Sequence, residues 1–195
     1  MLPALTPAPG LALHAHPVEQ APAGLSLRAG LSVIDTGGGS GWLIDFALKP
    51  PAGLKLPAPT SGGPADGLWR HTCLEAFVQD GAGPGYREFN FSPSGQWAVY
   101  RFDAERQRSP DDRPPPLGPT LAWDMAAEAL RLRAWLPRTL LPDTPGAVGL
   151  SAVIETLDGQ LSHWALHHPR ADRPDFHHRA GWTAHPPLSP APSSA

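Results

Sequence analysis

Apolar and polar side chains alternate with a period of two along much of the chain. In the segment Leu68–Val78, for example, Leu74, Ala76 and Val78 alternate with polar or aromatic neighbours such as Glu75. Successive side chains on a strand point to opposite faces, so this alternation is typical of a β-strand with one buried face. Nine further segments carry alternating or short apolar runs and are also predicted to be strands: Leu11–His16, Leu25–Ile34, Trp42–Leu48, Tyr86–Ser92, Trp97–Phe102, Leu121–Met125, Leu130–Leu136, Val148–Glu155 and Leu161–His167.

Glycine and proline separate these segments along the whole chain. The 20 glycines and 26 prolines leave little room for long helices. Tight turns are expected at Asp80–Gly85 and Ser92–Gly95, and the Asp158-Gly159 pair is a strong hairpin signal. The pattern predicts an all-β fold with little helix, namely a two-sheet antiparallel β-sandwich of immunoglobulin-like or jelly-roll type with roughly ten strands.

The chain length favours a single domain. With 195 residues, the chain can bury a sizeable core without a disulfide or a metal, and its one cysteine, Cys73, excludes an intramolecular disulfide. We expect one domain over residues 11–185, a flexible Pro-rich N-terminus over residues 1–10 and a disordered Pro/Ser-rich tail over residues 186–195.

Charge and hydropathy argue against several partners. The formal net charge is −3, which gives no general attraction to nucleic acid or to an anionic membrane. No apolar run approaches the roughly 18–20 residues that span a bilayer. The first residues lack a basic region and are interrupted by prolines, which is unlike a signal peptide, so a cytoplasmic location is expected.

The strand pattern also predicts which side chains face the core and which share the other face. The expected core consists of Leu74, Ala76, Val78, Phe89, Phe91, Leu132, Leu150, Ala152 and Ile154. The opposite face of the two strands after residue 68 would then carry Trp69, His71, Glu75, Tyr86, Glu88 and Asn90. Aromatic rings beside carboxylates, an amide and an imidazole are typical of a site for a polar small molecule.

Further residues complete this candidate ligand-binding face. Arg101 and Arg133 are expected as cationic neighbours, and Trp135 is an alternative to Trp69 as a stacking plane. A carboxylate within an apolar strand needs a hydrogen-bond donor. Glu75 and Glu88 could therefore bind ligand hydroxyls, pair internally with arginine, or act as the two carboxylates of a glycosidase.

The late histidines do not form a recognisable metal motif. The late cluster consists of His163 and of two adjacent pairs, His167-His168 and His177-His178, which a proline-containing loop separates. This spacing matches no familiar zinc site, which would need three or four ligands in tetrahedral geometry. Loop histidines that pack or form hydrogen bonds at a sheet edge are the simpler interpretation.

Several sequence blocks resemble one known family. The run LWRHTCLEAF, then YREFNFSPSGQWAVYRFD, LSAVIE, LSHWALHHP and DFHH resembles the bacterial DOMON-like domains, relatives of the family-9 carbohydrate-binding modules. The resemblance covers Leu68–His178. It implies a β-sandwich with a ligand face, in a superfamily that binds sugars or haem. Haem-binding relatives use a methionine and a histidine as axial ligands, and the only internal methionine here is Met125.

Two functions remain open from the sequence. One is a non-catalytic module that binds a carbohydrate or a similar polar small molecule, with no cofactor. The other is a structural or protein-interaction domain in which arginines satisfy the same carboxylates. A haem-binding domain and an enzyme are weaker alternatives, and the sequence does not indicate an oligomeric state.

Overall fold

The structure, a computed structural model, describes residues 10–36, 39–49, 53–126 and 129–186. The predicted loose ends, apart from Gly10 and Pro186, lie outside these ranges. Within them the chain forms twelve β-strands and three short 3-10 helices, at Leu68–Arg70, Arg138–Leu140 and Arg179–Gly181. The strands are β1 (Leu11–Ala15), β2 (Ser26–Thr36), β3 (Gly39–Lys49), β4 (Gly63–Pro64), β5 (Cys73–Asp80), β6 (Tyr86–Phe91), β7 (Gln96–Ala104), β8 (Gln107–Arg108), β9 (Thr120–Ala126), β10 (Ala129–Pro137), β11 (Pro145–Glu155) and β12 (Leu161–Ala165).

The all-β prediction with little helix is confirmed, and each of the ten predicted segments contains a strand. Strand β10 shows why, since buried and half-buried residues alternate along its length. The largest error in a boundary concerns the strand predicted over Leu68–Val78, which begins only at Cys73, after the helix Leu68–Arg70. That helix follows Gly67, whose φ of 73° is a left-handed conformation that glycine adopts without a steric penalty.

The predicted two-sheet antiparallel sandwich is wrong. The strands form one curled sheet in the order β4-β7-β6-β5-β11-β12-β1-β2-β3-β10-β9, with β8 paired to β7. The sheet is mixed, because β4 pairs with β7 in parallel. Strand β1 pairs with β12 on one side and with β2 on the other, and it thereby joins what would otherwise be two sheets. The result is a half-barrel with two arms. The first arm runs from β4 to β12, and the second from β2 to β9.

The main core fills the space between the two arms. Side chains from the first arm, such as Phe89 and Leu150, belong to the same buried cluster as Phe46 and Leu132 of the second arm. Residues so far apart in the strand order can share a cluster only if the sheet curls and turns the same face inward along both arms. The nine core residues predicted from the sequence all belong to this cluster, which confirms that prediction.

The C-terminal segment covers part of the opposite face of the first arm. A second cluster forms there from Phe77, Tyr86 and Trp182, with Phe176 packed against it. Gly149 permits this packing, because a Cβ atom at that position would collide with the Trp182 ring. Strands β5, β6 and β7 are therefore covered on both faces, by the core on one side and by residues after β12 on the other. None of the helices within the described ranges is long and apolar enough to cross a membrane.

Candidate functional site

A cavity of about 410 Å³ lies on the face of the first arm that points away from the main core. Its floor is formed by strands β5, β6, β7, β11 and β12, and its walls by the helix Leu68–Arg70, the β7–β8 turn and the segment that follows β12. The lining residues are Trp69, Glu75, Phe77, Glu88, Tyr100, Phe102, Arg106, Arg108, Val153, His163, Pro174, Phe176 and His177.

Strand register brings two glutamates together on the floor. Glu75 of β5 lies opposite Asn90 of β6, and Phe77 lies opposite Glu88. Glu75 and Glu88 are therefore diagonal neighbours on the same face of adjacent strands, which are close enough for long side chains to interact. The turn between these strands keeps the register that the alternation predicted, so both carboxyl groups point away from the core.

Glu75 is buried and has little hydrogen bonding. Its side chain is 2% exposed, and Ser151 Oγ donates a long hydrogen bond of 3.4 Å to Oε2. Burial raises the pKa of Glu75 well above its usual value, and the nearby Glu88 raises this pKa further. The neutral acid is thus the favoured form of Glu75, and it can donate a hydrogen bond as well as accept one.

Glu88 has a shorter hydrogen bond than Glu75. It is 6% exposed, and Asn90 Nδ2 donates a hydrogen bond of 2.6 Å to Oε1. Burial raises the pKa of Glu88 to about 7, while the hydrogen bond from Asn90 and the charges of Arg106 and Arg108 act in the opposite direction. Near neutral pH this side chain therefore exists in both protonation states.

A chain of hydrogen bonds approaches Glu88 from the C-terminal segment. The backbone N–H of Arg106 donates to Tyr86 Oη at 3.1 Å, and Oη lies 2.6 Å from His177 Nδ1. Burial raises the pKa of Tyr86 to about 12, so the phenol keeps its proton, and its hydroxyl group forms a hydrogen bond with His177. Burial and Arg106 lower the pKa of His177 to about 4, so the ring is neutral. The other ring nitrogen, Nε2, faces Glu88 Oε2 at 3.8 Å.

Both arginines of the cavity have aspartate partners. Arg106 forms an ion pair with Asp175 at 2.7 Å, and Arg108 forms one with Asp112, also at 2.7 Å. The guanidinium of Arg108 also lies over the Tyr100 ring, 4.4 Å from its centroid. These contacts hold both cations at the rim and partly neutralise them.

Aromatic rings form the wall near the opening. Trp69 is 39% exposed and meets Tyr100 edge to face, with 5.9 Å between ring centroids. Tyr100 Oη donates to Asp66 at 2.5 Å, which fixes the ring against the helix that carries Trp69. Phe102 stacks on Tyr86 at 4.6 Å. A partly open aromatic ring above buried carboxyl groups can stack on an apolar ligand face while the floor forms hydrogen bonds.

The structure brings together five of the nine residues predicted for the ligand face, among them Tyr86, whose hydroxyl group contacts His177 of the cavity. Trp69, Glu75 and Glu88 line the cavity, and Asn90 lies wholly buried beside Glu88. His71 does not line it: the residue lies outside strand β5, and Nδ1 contacts Glu155 Oε2 at 2.8 Å.

The other three predicted residues lie elsewhere. Arg101 alternates with Tyr100 on β7, so it points to the other face and lines a separate cavity of about 280 Å³ beside Arg87. Arg133 and Trp135 lie on β10 of the second arm, whose register pairs them with β3 and β9. The expectation that Arg101 and Arg133 flank the glutamates is therefore wrong, and Arg106 and Arg108 occupy that position.

Some lining residues could have been found from the sequence, and others could not. Tyr100 and Phe102 alternate with the core residue Val99 on β7, and the same alternation rule that selected Glu88 places them on its face. Arg106 occupies a turn with a φ of 57°, and His177 lies in a segment without regular structure. Neither of these two has a periodic signal.

The late histidines are held separately by different partners. His163 Nδ1 contacts Glu19 at 2.7 Å, His168 Nε2 contacts the carbonyl of His14 at 2.8 Å, and His177 contacts Tyr86. Across the residues that the structure describes, no three His, Cys, Asp or Glu side chains are grouped as metal ligands. The side chain of Met125, the methionine considered for haem, is outside the described part of the chain, and its backbone pairs with Leu130 on the second arm.

Comparison with known proteins identifies a related fold. No protein-family model matches the chain, and no curated protein matches it significantly. The chain is similar to a crystal structure, at 2.70 Å resolution, of a Bacteroides uniformis protein that is provisionally described as carbohydrate-binding. The two share 16% sequence identity with a TM-score of 0.51, and the alignment covers 87% of this chain and 84% of that chain. At this level of identity, the similarity shows the fold alone.

Proposed function

We propose that the protein is a non-catalytic ligand-binding module whose cavity takes a carbohydrate or a similar polyhydroxylated small molecule. The observation that carries this proposal is the pair Glu75 and Glu88, buried at the floor of a partly open cavity with aromatic walls. Its volume of about 410 Å³ suits a small ligand, since such sites usually measure about 300–1,000 Å³.

The chemistry of the lining matches the two faces of a sugar ring. Trp69 offers a partly exposed ring for the C–H face, and the glutamates and His177 offer hydrogen-bond donors and acceptors for hydroxyl groups. The resemblance of the sequence blocks to DOMON-like domains favours the same function, and the description of the B. uniformis protein is compatible with it. This function requires no cofactor.

A thermal-shift screen with matched variants tests the proposal. Wild type, Glu75→Gln, Trp69→Ala and Asp45→Asn are screened against neutral monosaccharides, amino sugars, disaccharides and nucleotide sugars. Asp45→Asn is the control, because Asp45 is a buried carboxyl group of β3 that pairs with Arg131 on the second arm.

We expect at least one sugar to raise the melting temperature of wild type and Asp45→Asn, with the effect reduced or lost in Glu75→Gln and Trp69→Ala. A full panel without any shift would contradict the proposal, as would a shift of equal size in Glu75→Gln. A concentration-dependent dimer without any sugar response would instead support the interaction-domain alternative.

A further inference from the structure

The charges that line the cavity are balanced unevenly. Arg106 and Arg108 are each paired with an aspartate at 2.7 Å. Glu75 and Glu88 have no lysine or arginine within ion-pair distance among the described residues. The basic side chain that approaches Glu88 within 4 Å is His177, which is neutral and lies at 3.8 Å. Arg106 and Arg108 act on Glu88 only from beyond ion-pair distance, so the least compensated charge in this cavity is the potential negative charge of the two glutamates.

The remaining lining suits a cation. Trp69, Phe77, Phe102 and Phe176 contribute aromatic rings to the cavity, and the faces of such rings attract positive charge. The protein already shows this contact at the rim, where Arg108 lies 4.4 Å from the centroid of Tyr100. An ammonium group would thus meet carboxyl groups at the floor and ring faces at the walls.

We infer that the ligand of this cavity is an amino sugar whose ammonium group binds between Glu75 and Glu88. The inference rests on the proposed function and narrows its ligand class. A free ammonium supplies three N–H donors and a full positive charge, which allows Glu88 to ionise while Glu75 accepts a further hydrogen bond as the neutral acid. A neutral hydroxyl group supplies one donor and no charge, and an N-acetyl group has one N–H donor in place of the charged three.

The groups that face Glu88 determine how many protons are released when the ligand binds. These groups are Cys73 and Glu75 on β5, Tyr86 and Asn90 on β6, Tyr100 on β7, Arg106 at the β7–β8 turn, Arg108 on β8, and His177 in the C-terminal segment. Burial raises the pKa of Glu88 to about 7, so at pH 6 the empty cavity holds Glu88 mainly as the protonated acid, and the pKa of Glu75 is raised as well. Binding of an ammonium group should therefore release protons to the buffer, whereas binding of a neutral sugar should release almost none.

Calorimetry of matched sugars tests this inference. Glucosamine, galactosamine and mannosamine are titrated at pH 6 beside their N-acetyl forms and the parent hexoses, in two buffers that differ in ionisation enthalpy. Ethanolamine serves as an amine that lacks a sugar ring.

We expect at least one hexosamine to bind about tenfold tighter, or more, than its N-acetyl form, and to release about one proton per ligand bound. Glu88→Gln should remove most of this preference and of the proton release. Asp45→Asn should retain both, because Asp45 lies on the second arm. The proton count in wild type is independent of any effect that a variant has on folding.

The outcomes separate the two proposals. If neutral or N-acetyl sugars bind as tightly as hexosamines, the inference is overturned and the carbohydrate function stands. If ethanolamine binds as tightly as the hexosamines, the cation site is supported while the carbohydrate function fails. Absence of binding by every compound overturns the inference together with the proposed function.

Discussion

Asn90 holds Glu88 from within the same strand: its Nδ2 atom donates a hydrogen bond of 2.6 Å to Glu88 Oε1, and both side chains are buried on the cavity face of β6. The amide is held in turn from the neighbouring strand β5, where Cys73 Sγ lies 3.5 Å from its Oδ1 atom. A buried carboxylate needs such a donor, and the hydrogen bond is stronger when the acceptor is charged.

Asn90→Ala should therefore destabilise the protein more at high pH than at low pH. At pH 8, where Glu88 is largely ionised, we expect a loss of about 1–3 kcal/mol in the free energy of unfolding. At pH 5, where Glu88 is protonated, the loss should be smaller. Urea denaturation at both pH values measures this difference, and equal losses would show that Asn90 does not support the charged form.

Glu88 should make the folded protein less stable as pH rises. Its pKa is about 7 in the folded protein against 4.5 for an unperturbed glutamate, so between these values the folded state binds the extra proton. The free energy of unfolding then falls with pH across this window. Relative to wild type, Glu88→Gln should gain about 2–3 kcal/mol between pH 4 and pH 8.

Glu155 provides the control of opposite sign. Hydrogen bonds from Lys55 and His71 lower the pKa of Glu155, so this carboxylate contributes stability that is present above the pKa of the unfolded state and lost in acid. Glu155→Gln should accordingly lose stability relative to wild type as pH rises. The same slope for both variants would contradict the assignment of the Glu88 proton.

The hydroxyl groups of Tyr86 and Tyr100 should contribute differently to the stability of the folded protein. Tyr86 Oη connects the backbone of Arg106 with His177, whereas Tyr100 Oη donates to Asp66, an exposed residue that water can solvate. Tyr86→Phe leaves the half-buried His177 Nδ1 atom and the backbone N–H of Arg106 without their shared partner, so it should cost about 1–3 kcal/mol of stability. Tyr100→Phe removes the same atom and should cost less. Thermal unfolding of both variants makes the comparison, and a larger loss for Tyr100→Phe would contradict it.

Phe91 tests the assignment of the core face. The residue is fully buried in the main core and stacks near Phe89 at 6.4 Å between ring centroids. Phe91→Ala should lower the free energy of unfolding by about 3–5 kcal/mol. Leu117→Ala is the matched control, because Leu117 is 78% exposed and its truncation should change stability little. If Phe91→Ala were as stable as the control, the two faces of β6 would have been assigned the wrong way round.

The faces of individual strands could be predicted from the sequence because alternation depends only on local geometry. Glu75, Glu88 and Asn90 lie on the predicted face, and Leu74 and Phe91 lie in the core. Strand partners are not encoded in this way. A strand in a sandwich and a strand in a half-barrel have the same alternation of apolar and polar residues. The short strand β1 joins the two arms, and its sequence has no feature that reveals its two neighbours, β12 and β2.

The same limit explains the residues misplaced in the predicted ligand face. Arg133 and Trp135 alternate correctly along β10, but their distance from Glu75 depends on the order of strands in the sheet. The placement of Arg101 was wrong for a simpler reason: Arg101 and Tyr100 are consecutive residues of β7 and therefore point to opposite faces of the sheet. Arg106 and His177 reach the cavity through a turn and an irregular segment, and periodicity carries no information about such positions.

The indole N–H signals of the seven tryptophans offer the most direct test that the ligand binds at this cavity. Trp69 lines the cavity, while Trp135 lies on the second arm, so their NMR signals, assigned with Trp69→Phe and Trp135→Phe, report on the two competing faces. On titration with the sugar that gives the largest thermal shift, we expect the Trp69 signal to move progressively and the Trp135 signal to stay unchanged. A shift of Trp135 with an unmoved Trp69 would contradict the assignment of ligand binding to the cavity above Glu75 and Glu88.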